Sequence, residues 1–61
     1  MTYDELIKEI INTVNQIEDT KVKLDHETDP VQIAELIFRQ KELEYIQVSQ
    51  QEQLKLMKEA E

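Results

Sequence analysis

Asp25-His26-Glu27-Thr28-Asp29-Pro30-Val31-Gln32 decides how this chain folds. Pro30 is the single proline, it stands near the middle of the 61 residues, and glycine is absent. Proline has no N–H to give a helix interior and its ring clashes with a carbonyl of the turn before it, so it breaks one helix. The same ring is well placed at the first position of the next. A chain with one such break and no glycine reads as two helices. Asp29 is then the N-cap of the second, with Gln32 where a capping box places Glu or Gln, and Thr28 is the alternative cap one residue earlier. The acids of this stretch suit the positive start of the second helix and fit the negative end of the first poorly, which Lys21 and Lys23 partly offset. A connection this short makes the helices antiparallel neighbours. The prediction is an all-α, coiled-coil-like antiparallel two-helix hairpin, one domain over residues 1–61. Its first helix spans about 3–26, its turn about 27–29 and its second helix about 30–59.

Upstream of the turn, Thr2 with Glu5 three residues on forms a second capping-box pattern. Apolar positions then run Tyr3, Ile7, Ile10, Val14, Ile17 and Leu24, with Lys21 in the vacant slot, at alternating spacings of four and three that predict a heptad seam. Leu6 and Ile11 widen that stripe to the breadth of a core-facing bundle helix. Asp4, Lys8, Asn15, Asp19 and Lys23 form the opposite side, where Asp4–Lys8 and Asp19–Lys23 are i,i+4 pairs in the favourable order, worth about 0.2–0.5 kcal/mol each.

Downstream, the pattern is two-sided. One face of the second helix holds Ile33, Leu36, Ile37, Leu43, Ile46, Leu54 and Met57. A second set, Val31, Ala34, Phe38, Tyr45 and Leu56, falls on the other side at ~100° per residue. The first helix covers only one of these faces. Burying both calls for association, most simply a homodimer of hairpins forming a four-helix bundle, whereas without a partner Phe38 and Tyr45 are singly exposed apolar residues of an ordinary kind. The second helix is also the longer, so its last turns overhang the first and leave Leu54, Leu56 and Met57 to fray or to dock on another chain. The interface residues predicted on these grounds are Val31, Ala34, Phe38, Tyr45, Leu54, Leu56 and Met57. Between them Gln47-Val48-Ser49-Gln50-Gln51-Glu52-Gln53 interrupts the main stripe. Gln40, Gln47 and Gln50 fall at or beside seam positions, where polar residues either fix register and oligomer state or mark a weakly packed stretch.

Composition narrows the function. A chain this short buries only about 60% of the surface its unfolded form exposes and is marginal without a metal, disulfides or a partner. Cysteine is absent, which removes disulfides and thiolate metal sites. Thr2-Tyr3-Asp4-Glu5 is acidic where a secretory n-region is basic, and no apolar run reaches the ~18–20 residues of a membrane span, so the expectation is a soluble, cytoplasmic protein. With a net charge of −7 and its six lysines and Arg39 scattered, the chain is expected to bind neither nucleic acid nor anionic membrane. The acidity serves solubility, or it meets a basic partner in the manner of a nucleic-acid mimic.

Catalytic material is scant. His26 is the only histidine and Ser49 the only serine, so no nucleophile has an adjacent base. The acidic turn around His26 lacks the glycine of a calcium loop, and no glycine-rich phosphate loop exists. A hairpin this thin is expected to offer no pocket of the ~300 Å³ that small molecules require. Glu42 and Glu44 flank Leu43 as solvated helix positions do. The expectation is therefore a non-enzymatic protein with no cofactor, no metal and no small-molecule substrate.

Thr28-Asp29-Pro30-Val31-Gln32-Ile33, then Ile37-Phe38 and Leu43-Glu44-Tyr45, resembles the centre of the small bacterial YaaL-like family. The resemblance covers the middle third of the chain and implies a helical hairpin; that family is uncharacterised and implies no activity. Arg39-Gln40-Lys41 stands where the family favours smaller or apolar residues. Gln40-Lys41-Glu42-Leu43-Glu44 is similar to the signature of the short acidic hairpins that dephosphorylate response regulators in sporulation control, with Arg39 in place of their serine and Glu44 in place of their aspartate. That likeness implies an aspartyl-phosphate phosphatase hairpin as a distant alternative. The leading expectation is a self-associating interaction module that acts as adaptor, regulator or inhibitor of a larger protein. The second is an acidic, phage-type inhibitor occupying a basic nucleic-acid-binding surface.

Overall fold

The computed structural model describes residues 2–60. The chain forms α1, Tyr3–His26, and α2, Pro30–Glu59, joined by Glu27-Thr28-Asp29. The helices lie against each other as an antiparallel hairpin measuring 48 × 15 × 14 Å. Helix starts and the turn follow the local chemistry of the sequence. Thr2 Oγ1 accepts from the Glu5 N–H at 3.2 Å, and Asp29 Oδ1 accepts from the Val31 N–H at 3.0 Å with Pro30 at the first helical position. Each cap gives an otherwise orphaned helical N–H its partner. The poor electrostatic fit of acids at the end of α1 is resolved by Glu27. Its carboxylate accepts from the Thr28 and Asp29 N–H groups, both at 3.1 Å, while its own N–H donates to Lys23 O at 2.9 Å. An acid stands there because it holds the turn.

A heptad seam joins the helices, though not along the line the apolar residues of α1 suggest. Leu6, Ile10, Thr13, Ile17, Thr20 and Leu24 form a line of buried or half-buried positions, with Ile7 and Gln16 half-buried on its two sides and Tyr3 and Val14 exposed. Both lines share Ile10, Ile17 and Leu24 and differ in the residue that alternates with them. The line through Ile7 and Val14 would carry the Lys21 ammonium into the interface, a costly burial. The line through Thr13 and Thr20 carries hydroxyls that satisfy themselves: Thr13 Oγ1 donates to Glu9 O at 3.0 Å and Thr20 Oγ1 to Gln16 O at 2.8 Å. With one partner helix, only one line is covered.

On α2 the seam runs Ile33, Leu36, Gln40, Leu43, Gln47, Gln50, Leu54 and Met57, at spacings that alternate three and four without a break. All three glutamines therefore occupy seam positions, and Ile37 and Ile46, expected in this face, lie exposed beside it. Arg39 Nη2 donates to Gln16 Oε1 at 3.2 Å across one flank of the seam, fixing which residues stand level. Of the i,i+4 pairs, Asp19–Lys23 closes at 3.4 Å on the surface of α1. The apolar core is thin: Leu6, at 0% exposure, Ile17 and Leu43 are its buried members, with Thr13, Thr20 and Gln50 between them. Gln50 Oε1 is buried with no hydrogen-bond partner among the described residues.

These placements set the direction of three substitutions. Leu6→Ala removes the best-covered side chain and lowers stability by about 2–3 kcal/mol, a large part of what so small a core supplies. Gln50→Leu raises stability by about 1–2 kcal/mol, because an unpaired buried amide is replaced by an apolar group of similar size. Thr13→Val raises it by less than about 1 kcal/mol, since the hydroxyl it deletes orphans nothing. Urea midpoints at one fixed protein concentration, with unchanged slope, measure all three.

Candidate functional site

An uncovered apolar line lies on the far side of α2. Val31, Ala34, Phe38, Tyr45 and Leu56 are all exposed, Phe38 at 68% and Tyr45 at 78%. Val31, Ala34, Phe38, Lys41, Tyr45 and Val48 follow one another at spacings of three, four, three, four and three. This is a second heptad line, about 150° around the helix from the one that meets α1 at ~100° per residue. It spans 18 residues, or roughly 27 Å at 1.5 Å per residue. Glu35 and Glu42 border it on one side, and Ile37 and Glu44 on the other, all exposed. The sequence reading of this face omitted Lys41 and Val48; the unbroken three-four spacing is the signal that places them in it.

Leu54 and Met57 behave differently from the rest of the expected interface. They take the last two seam positions and are half-buried, so they are less open than a free overhang would leave them, while Leu56 points away and is exposed. The overhang itself is real: α2 has 30 residues against 24 in α1, an extra ~9 Å of helix. The expected interface is therefore two surfaces. Val31, Ala34, Phe38 and Tyr45 share the outer line, and Leu54, Leu56 and Met57 surround the free end.

The two flanks of the hairpin seam also differ. The flank bridged by Arg39 and Gln16 is polar, with Asp19, Lys23, Gln32 and Glu35 around it. It forms a groove of about 340 Å³, larger than the ~300 Å³ below which a hairpin was expected to remain. The groove is a trough between two helices, open to solvent along its length, which encloses no ligand as a binding pocket does. By heptad geometry the other flank carries Ile7, Ile11 and Val14 of α1 with Ile37 of α2, of which only Ile7 is half-buried.

Groups with reactive chemistry lie apart from one another. Among the described residues no three His, Cys, Asp or Glu side chains gather as a metal site would need, and no helix is long and apolar enough to cross a membrane. His26 is exposed at the end of α1. Glu44, the residue aligned with the phosphatase signature, is exposed one position from buried Leu43, and its carboxylate accepts from Gln40 Nε2 at 3.3 Å.

Because Phe38 and Tyr45 contribute so little to the hairpin's own packing, Phe38→Glu is expected to change monomer stability by no more than about 0.5 kcal/mol. Unchanged helical circular dichroism and an unchanged urea midpoint at high dilution check this.

No protein-family model matches the chain, and no curated protein and no solved structure matches it.

Proposed function

We propose that this chain is a non-enzymatic protein–protein interaction module whose outer α2 line is its working surface. It associates with a second copy of itself, and the resulting unit acts as an adaptor, regulator or inhibitor of a larger protein. The observation that carries this reading is the second heptad line, Val31 to Val48, left uncovered by the hairpin. Isolated exposed apolar residues are ordinary, but a line of them at heptad spacing has the form of a helix-packing seam. The thin core supports the same reading, since small domains with so little burial commonly complete it with a partner.

The alternative is a basic protein partner. Glu35, Glu42 and Glu44 border the line, and the chain carries net −7, so a positively charged surface would find electrostatic complement there. Salt separates the readings. Screening weakens attachment to a basic surface and eases the repulsion between two copies of an acidic chain.

Sedimentation equilibrium over a range of concentrations tests the proposal. The unmodified chain should approach twice its monomer mass, more completely at higher salt. Phe38→Glu should weaken the association by at least about tenfold, equivalent to about 1.4 kcal/mol, while remaining helical. A monomer at every concentration, or a dimer indifferent to Phe38→Glu, rejects it.

A further inference from the structure

The spacings of the outer line of α2, three, four, three, four and three, read the same in both directions, so the line can be laid antiparallel against itself. In an antiparallel pair whose two-fold axis passes between Phe38 and Lys41, Val31 meets Val48, Ala34 meets Tyr45, and Phe38 meets Lys41, each contact occurring twice. The sizes match layer by layer: the smallest side chain of the line faces the tyrosine, and the two valines face each other. Alternation of large and small across facing positions is what lets helices interdigitate. Placed in parallel, the same line stacks Tyr45 on Tyr45, Ala34 on Ala34 and Lys41 on Lys41, leaving a gap at one layer and two ammonium groups together at another.

The position of Lys41 favours the same arrangement. Lys41 is the single cation of the line. Antiparallel pairing lays its alkyl stem over the partner's Phe38 ring and keeps the two Lys41 ammonium groups in separate layers, an amphipathic use of a long side chain. Glu35 and the partner's Glu42 then stand opposite each other along one edge, a repulsion that salt screens. Area is consistent as well. The chain exposes 4897 Å², roughly 700 Å² more than the ~4,200 Å² expected for a compact monomer of its 7.3 kDa. A standard interface covers ~800 Å² on each partner.

We infer that the second copy docks antiparallel on the outer line of α2, in the register that sets Val31 against Val48. The inference rests on the self-association proposed above and adds its geometry. Because this line lies far around α2 from α1, the dimer is a layer of four helices with the two α2 helices in the middle, and differs from the square four-helix bundle that the sequence suggested. The polar trough at Gln16 and Arg39 and the apolar flank at Ile11 and Val14 both remain uncovered in it.

The absence of cysteine makes the register directly testable. Val31 and Val48 are both exposed, at 63% and 61%, so replacing them leaves the hairpin seam untouched. They are about 25 Å apart along one helix, too far for a bridge within a chain. The chain carrying both Val31→Cys and Val48→Cys should oxidise to a covalent dimer, at least about tenfold more readily than either single variant. An equimolar mixture of the two single variants should give the mixed dimer in preference to either self-linked one. If Val48→Cys alone links as fast as the double variant, the copies are parallel and the inference falls. If sedimentation shows a dimer but no variant links, the copies meet elsewhere; the register is wrong and self-association stands. If sedimentation shows only monomer, both fall together.

Discussion

A hairpin of two helices has one interface, and everything else in this molecule follows from that. A helix has room for neighbours around its whole circumference, yet here each has a single neighbour covering one line. Residues on that line are shielded from one direction only, which is why Leu6, Ile17 and Leu43 alone among the described apolar residues have exposures below a tenth. The remaining apolar side chains are mostly half-covered along the seam or exposed beside and behind it. Stability gained from area removed from water is correspondingly limited, at about 25 cal/mol per Å², and must offset the ordering of two long helices.

Polar residues in the seam divide by how they are satisfied. The hydroxyls of Thr13 and Thr20 turn back to carbonyls of their own helix, so they enter the interface as small, nearly apolar surfaces. Gln40 reaches out of the seam to Glu44 and leaves its stem behind. Gln50 does neither: its amide oxygen is closed in without a hydrogen bond. An amide held this way costs stability in the native register, but a slip that moved it against Ile10 or Ile17 would cost no less and would also displace Leu6 from its cover.

Local chemistry made the fold legible. Pro30, the Asp29 and Thr2 caps and the absence of glycine each act within a few residues, and the helix bounds they imply coincide with those observed. The seam was less legible because apolar spacing admits two lines through Ile10, Ile17 and Leu24, and the choice between them is tertiary. It turns on the cost of burying Lys21 against that of burying Thr20, which hydropathy ranks but periodicity does not. Glu27 was misleading for a similar reason: its charge argues against the end of a helix, while its carboxylate is what the two turn N–H groups require. Behind α2 the apolar residues were visible in sequence, but Lys41 broke the pattern as hydropathy reads it. Spacing restores it, since a lysine stem occupies a seam layer as well as a methionine does while its charge remains at the edge.

Thin packing and an open second line are two aspects of one design in energetic terms. A ligand that binds only the folded form stabilises it by RT ln(1 + [L]/Kd), about 2.7 kcal/mol at one hundred times Kd. For a domain resting on three buried apolar side chains, that is comparable with the stability the core itself supplies. Under the proposed association, folding and binding are thermodynamically linked: a partner on the line from Val31 to Val48 would also hold α2 helical along that stretch, and helical α2 holds α1 through the seam. Substitutions in the seam would then change the apparent affinity of the proposed interface without touching it, by shifting the fraction of chains competent to bind. Gln50, unpaired on the covered side of α2, acts on the exposed side through that route alone.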